Sequence, residues 1–385
     1  MLLSRRRSQV AASLAIIAMF GGVSLSLGSR VEAPSIPDRI GDDVFWRMVS
    51  DYSEPGGFFR SDNFVSNEIT FQWVLPELAK TTRGGVYLGV GPDQNFTYIV
   101  AMQPKIAFIV DIRRQNMLHH LLYKALIELS PDRAEFLSRL FSRPLPGGLD
   151  ANAGPAALFQ AYANVPADST LYARNLAAVK EHLVGRHKFA LTSDDLRTIE
   201  YVYSAFFTAG PDLTYSFTMP GRGASMMFYG RRMPTYAELM MESDGAGNQR
   251  SYLASEDNYR TLRDLERNNL IVPLVGDFAG DKAIRTVGQY VRDHGATITA
   301  FYTSNVEQYL FQSDDWKKFF GNVATLPVDT SSTFIRAVFN FTTMPTQTGT
   351  PGPRSRTMLA SIIEQVQAFT EGRIQSYWDV IQTSR

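Results

Sequence analysis

Residues Gly85 to Asn116 read GVYLGVGPDQNFTYIVAMQPKIAFIVDIRRQN, and the fold turns on this stretch. Val86-Tyr87-Leu88 has the character of a short buried strand, broken by the tight turn Gly89-Val90-Gly91-Pro92. Asp93 to Met102 carries a helical pattern with Phe96, Ile99 and Val100 on one face. Pro104 stops that helix, and Ile106 to Val110 is a second apolar strand closed by Asp111. Strand, glycine turn, helix, strand and terminal acid make a βαβ unit of the kind that binds a nucleotide. Glycines let the backbone approach a ligand, and a helix N-terminus offers free N–H groups. A carboxylate about 20 residues further on can accept both ribose hydroxyls.

Outward from this unit, the same alternation continues. Arg113 to Leu129 reads as a helix, and its adjacent His119-His120 point in different directions, so they are structural or surface histidines rather than a metal grip. Leu270 to Val275 is a strand ending at Asp277, and Ala296 to Tyr302 is another ending at Ser304-Asn305. Ser332 to Asn340 is a further strand, followed by a Pro/Gly/Thr-rich loop to Gly352 and a closing helix from Thr357 to Phe369. Alternating strands and helices imply a mostly parallel sheet covered on both faces, an α/β domain of three αβα layers. Ligands of such sheets bind beyond the C-terminal strand ends, where Gly89, Gly91, Asp111, Asp277, Ser304 and Asn305 converge.

Upstream, Ile40 to Leu78 reads as helices joined by the bend Pro55-Gly56-Gly57. The polar run Arg60 to Glu68 allows two readings: a capped helix start, with Ser66 or Asn67 before Ile69 to Trp73, or a lid over the pocket that places Asn63, Asn67 and Glu68 against a substrate. Between the two halves of the sheet lies a long, mainly helical insertion with polar connections such as Pro220 to Gly223. Within it Arg186-His187-Lys188 has the look of a solvated helix end.

Lys+Arg and Asp+Glu are equal at 38 each among 385 residues, so there is no basic field for nucleic acid, and none is expected as partner. Hydrophobic content of 44% is enough for a sizeable core. Cysteine is absent, which removes disulfides, thiolate catalysis and Cys-based metal sites, and no metal is expected. Arg5-Arg6-Arg7 precedes a charge-free run from Ser8 to Ser29, the pattern of a signal peptide or an uncleaved membrane anchor. The rest of the chain is then expected outside the cytoplasm, touching the membrane only through this segment. The expected organisation is a leader or anchor over 1–33, a first half-domain with a helical lid over 34–146, the insertion over 147–269 and a second half-domain over 270–385.

The strand-end constellation resembles class I S-adenosylmethionine-dependent methyltransferases, a Rossmann-like family. Gly89 and Gly91 match two glycines of its loop, Asp111 the ribose-binding acid, Asp277 the residue beside the adenine, and Ser304-Asn305 the short polar motif facing the methyl group. The likeness covers Ile69 to Glu128 and Leu270 to Asn340. It implies S-adenosylmethionine as the cofactor, a small-molecule ligand held by Gly89, Gly91, Asp93, Asp111, Asp277 and Ser304, with Asn305 at the transferred methyl and the acceptor left open. Tyr87 stands where the family has an acid, and Asp93 replaces a third glycine. Export, together with those departures, supports a rival reading: a non-enzymatic binding or scaffold protein that keeps the fold without the cofactor.

Overall fold

The computed structural model describes residues 34–81, 84–216, 233–339 and 355–385. In chain order, α1 (Asp42–Tyr52) is followed by a 3₁₀ turn (Phe71–Val74), α2 (Leu75–Thr81), β1 (Val86–Gly89), α3 (Gln94–Met102), β2 (Ile106–Asp111) and α4 (Arg114–Glu128). A helical stretch comprises α5 (Arg133–Phe141), α6 (Pro155–Tyr162), α7 (Ser169–Lys180) with a π-helical extension (Glu181–Arg186), α8 (Ser193–Ala209), α9 (Tyr236–Met241) and α10 (Glu256–Arg267). Then come β3 (Ile271–Val275), α11 (Ala283–Asp293), β4 (Ile298–Ser304), α12 (Val306–Gln312), α13 (Trp316–Val323), β5 (Thr333–Phe339), β6 (Ser355–Ser361), α14 (Ile362–Thr370) and α15 (Tyr377–Gln382).

The strands form one six-stranded sheet in the order β3-β2-β1-β4-β5-β6, parallel throughout except for antiparallel β6 at the edge. The chain is therefore of the α/β class. Every residue of β1, β2 and β3 is buried. Because successive side chains point to opposite faces, this means the strands are covered on both sides, which is why they read as unbroken apolar runs. Pro273, which cannot donate to a ladder, sits in edge strand β3, where the missing N–H costs least. The connection Ser53-Glu54 blunts the same edge: Glu54 N donates to Val275 O at 2.8 Å, and Val275 N to Ser53 Oγ at 3.0 Å.

Two expectations need correction. Thr357 to Ser361 is strand, not helix: β6 pairs with β5 along its whole length, from Thr333 with Ser361 to Phe339 with Ser355, and the closing helix begins only at Ile362. Ile69 to Trp73 is not a capped α-helix. Ser66 Oγ does accept a bond from Glu68 N, but Thr70 lies in the left-handed region at φ 70°, and only a 3₁₀ turn begins at Phe71. The expected leader at 1–33, the connection Pro220 to Gly223 and the loop to Gly352 lie outside the described residues. Among the described residues no helix is long and apolar enough to cross a membrane.

The second half of the sheet hangs on a buried ion pair. Arg336 on β5 donates to both carboxylate oxygens of Glu307 on α12, at 2.5 and 3.0 Å, and its remaining nitrogen reaches Ser384 Oγ at 3.1 Å. Both side chains are about 1% exposed. Removing one partner strands a desolvated charge, so Glu307→Ala should lower the unfolding free energy by about 3–5 kcal/mol in urea denaturation. A loss below 1 kcal/mol would show that water reaches the guanidinium.

Candidate functional site

The strand order reverses between β1 and β4, so the cleft beyond their C-terminal ends is the switch point at which open α/β sheets take ligands. At this point the glycine loop is tied internally. Asn95, in the first turn of α3, donates to the carbonyls of Val90, Gly91 and Pro92 at 2.9, 3.2 and 2.7 Å, and accepts from Tyr87 Oη at 2.9 Å. A Cβ on Gly89 would lie 1.9 Å from Asn95 Oδ1, so this glycine makes room for the asparagine. Gly91 differs: its φ is +77°, and an added Cβ would meet nothing among the described residues.

Asp111 ends β2 but does not face an open floor. It is 4% exposed, and Arg113 engages both its oxygens: Arg113 N and Nε donate to Oδ1 at 2.9 and 3.0 Å, and Nη2 donates to Oδ2 at 2.9 Å. The remaining arginine nitrogen donates to the carbonyls of Ser61 and Asp62, at 3.1 and 2.5 Å. The run from Glu54 to Thr70 thereby crosses the C-terminal edge as a strap. Glu54 accepts from Lys282 N and Ala283 N after β3, Gly57 N donates to Ile112 O after β2, and Ile69 N donates to Ser355 Oγ at the start of β6.

Glu68 is the strap's most buried charged side chain, 1% exposed. Its carboxyl accepts from Gln94 Nε2 and Tyr302 Oη, each at 2.8 Å, and from Ser304 Oγ. Burial raises its pKa above the ordinary carboxylate range, against the pull of those three hydrogen bonds. Three non-glycine residues of the strap and of its anchor on β4 hold left-handed backbone: Asn63, Thr70 and Ser304, at φ 50°, 70° and 52°. Such strain persists only where surrounding bonds over-determine it.

Asp93 turns elsewhere. It is 2% exposed and accepts from Tyr252 Oη at 3.1 Å, with Tyr236 Oη 2.6 Å beyond, inside a box of Phe96, Tyr123, Tyr236 and Tyr252. Burial pushes its carboxyl up to about 7. His119 and His120 are both buried, so the surface alternative is excluded; His120 Nε2 lies 2.8 Å from Gly91 O, and burial pushes the ring down to about 4.

The sequence-derived residues thus separate. Ser304 and Glu68 meet directly, and Asp111 is joined only through Arg113 to the strap that carries Asn63, Asn67 and Glu68. Asp277, half-buried after β3, accepts from Ala279 N at 2.9 Å in its own turn. Asn305 sits before α12 without a capping bond. The residues that organise the cleft and were not singled out are Arg113, Gln94, Asn95 and Tyr302. Arg113 alone left a trace, as an arginine two residues past a strand-terminal acid.

Residues 63–144 and 221–372 match a family described as a domain of unknown function (DUF7790), and since these segments make up more than half of the chain, it belongs to that family. No curated protein matches the chain.

The raised carboxyl of Asp93 gives a pH test. The folded chain binds this proton more tightly than the unfolded chain, so its contribution is complete below pH 3.8 and is lost as pH rises through about 7. Asp93→Asn cannot ionise and escapes that loss. The variant should therefore gain on the wild type by up to about 4 kcal/mol between pH 4 and pH 8 in urea denaturation. A difference that stays constant across this range would mean Asp93 is ionised in the folded protein.

Proposed function

We propose that the chain is an exported, non-catalytic binding or scaffold protein on a three-layer αβα, Rossmann-like sheet, with its cofactor cleft filled by its own strap. The observation that carries this is the state of Asp111. The carboxylate a ribose would need is buried and already takes three N–H donors from Arg113. Two further features agree. Asn95 occupies the carbonyls of the glycine loop, and Glu68 fills the space before Ser304, where the methyltransferase likeness puts the transferred methyl. The Rossmann-like reading is supported by the strand order and the switch point between β1 and β4. Export is supported by Arg5-Arg6-Arg7 and the charge-free run to Ser29.

One observation favours methyl transfer from S-adenosylmethionine as a second reading: the unfilled space beside Gly91, at positive φ, next to the end of β1. On that reading Arg113 releases Asp111 before a ribose enters, and the strap is a lid.

Calorimetric titration with S-adenosylhomocysteine separates the two. No saturable heat is expected with the wild type at millimolar ligand. Saturable binding that Asp111→Ala weakens would overturn the non-catalytic reading. Binding confined to Arg113→Ala would identify the arginine as the plug. For location, a reporter active only outside the cytoplasm, fused after Arg385, should be active; a silent fusion with intact protein in the cytosol would remove the export element.

A further inference from the structure

A second polar centre lies away from the glycine loop, where the C-terminal end of α4 meets the π-helical turn after α7. Glu128 Oε2 lies 2.8 Å from His182 Nε2 and 2.9 Å from His187 Nε2, and the two ring nitrogens are 3.3 Å apart. All three side chains are buried. We propose that Glu128, His182 and His187 form a binding site for a divalent transition-metal ion, Zn²⁺ in kind, with a fourth position open to a neighbouring cavity.

Four observations carry it. The first is spacing. Tetrahedral zinc with bonds of about 2.0–2.1 Å holds its donor atoms about 3.3 Å from one another. The two histidine nitrogens already stand at 3.3 Å, and the carboxylate oxygen needs to move outward only by about half an ångström.

The second is proton arithmetic. His187 is bracketed by carboxylates, with Asp42 Oδ1 2.9 Å from Nδ1 and Glu128 Oε2 2.9 Å from Nε2. A neutral imidazole donates from one nitrogen only, so one carboxylate faces a lone pair unless the ring is charged. A metal ion on Nε2 resolves this: the lone pair binds the ion and leaves Nδ1–H 2.9 Å from Asp42 Oδ1, not yet aligned as a hydrogen bond but within a small ring rotation of the outer-shell partner that metal-bound histidines usually have. Asp42 is itself fixed, because Asn269 Nδ2 donates to the same oxygen at 2.8 Å.

The third is backbone. His187 N donates to His182 O at 3.1 Å, an i to i+5 bond, which sets two residues five apart onto one side. A regular α-helix would turn them away from each other; π-helical turns are rare and concentrate at functional positions. The fourth is access. A cavity of about 330 Å³ is lined by Asp42, Glu128 and His187, with the exposed side chains of Arg39, Arg186 and Arg267 at its wall. It gives the ion a way in, and three cationic side chains favour water or a small anion as fourth ligand. Lys124 does not compete for Oε2. Its ammonium lies 2.7 Å from the other oxygen, Glu128 Oε1, and 3.8 Å from Glu266.

The test uses the full chain purified without a histidine tag, stripped with chelator, reloaded with Zn²⁺ and desalted. One zinc per chain is expected by mass spectrometry, with loss of that zinc in His182→Ala and His187→Ala. Asp42→Asn, which keeps all three ligands, should weaken binding by about 10–100-fold. No retained zinc, or an equal amount in wild type and histidine variants, overturns the site and leaves an ion-pair network. Should the histidine variants fail to fold, Co²⁺ titration of the wild type decides. Intense visible bands of a tetrahedral site, erased by Zn²⁺, support the proposal, and only the weak bands of octahedral Co²⁺ overturn it.

Discussion

The grip of Arg113 on Asp111 is the constraint from which the arrangement of the sheet's C-terminal edge follows. A buried ion pair stabilises only when its remaining donors and acceptors are also met, because both charges have left water. Here the guanidinium meets that condition by spending its last nitrogen on the carbonyls of Ser61 and Asp62. Those carbonyls belong to the strap, so the requirement to satisfy one arginine fixes a whole segment. With residues 61 and 62 anchored after β2, the strap runs on to the end of β4, where Glu68 lies between Tyr302, Ser304 and Gln94. The left-handed backbone at Asn63 and Thr70 is where the strap bends to make both contacts.

That geometry forces carboxyls into places that disfavour their charge. Burial raises Glu68 and Asp93, and it pushes Glu242, whose carboxylate accepts from Thr70 N at 3.2 Å, up to about 8. All three touch the strap, or the helix that follows the glycine loop. A fold built for stability alone would place apolar side chains there at lower cost. Perturbed acids and strained backbone thus gather around the strap and the start of the helix after the glycine loop, the kind of concentration that functional sites share with structural ion-pair networks.

Much of the fold was legible because the parallel strands are short, apolar and punctuated. Ile106 to Val110 and Leu270 to Val275 are apolar runs ended by Asp111 and Gly276, and the structure keeps them within a residue. The failures have separate physical causes. Ser355 to Ser361 passes into Ile362 to Thr370 with no glycine or proline between, so strand and helix merge into one apolar stretch; only pairing with β5 separates them. His187 looked solvated because helical periodicity places it beside Arg186 and Lys188, and the π-turn adds the residue that rotates it inward. At the cleft, strand ends could be located from spacing, but what fills them could not. The one trace at Asp111 is the arginine two residues on, and spacing alone does not say that Arg113, rather than a ribose, will hold the acid.

The Arg113 clamp and the pair His182 and His187 stand at opposite ends of one helix. α4 runs from Arg114, next to the clamp, to Glu128, a rise of about 21 Å at 1.5 Å per residue, and nearly all of it is buried. A helix enclosed on all sides is expected to be apolar all round. Along α4, however, His120, Lys124 and Glu128 fall four residues apart and so share a face. Each needs a polar partner, and each finds one in a different element: His120 at Gly91 O, Lys124 at the carbonyl and carboxylate of Glu266 on α10, and Glu128 at His182 and His187. One stripe of polar side chains therefore fixes the helix against the glycine loop, α10 and the π-turn at once. Moving any of these elements leaves a buried charge or imidazole without its partner, so the two centres are held in one frame.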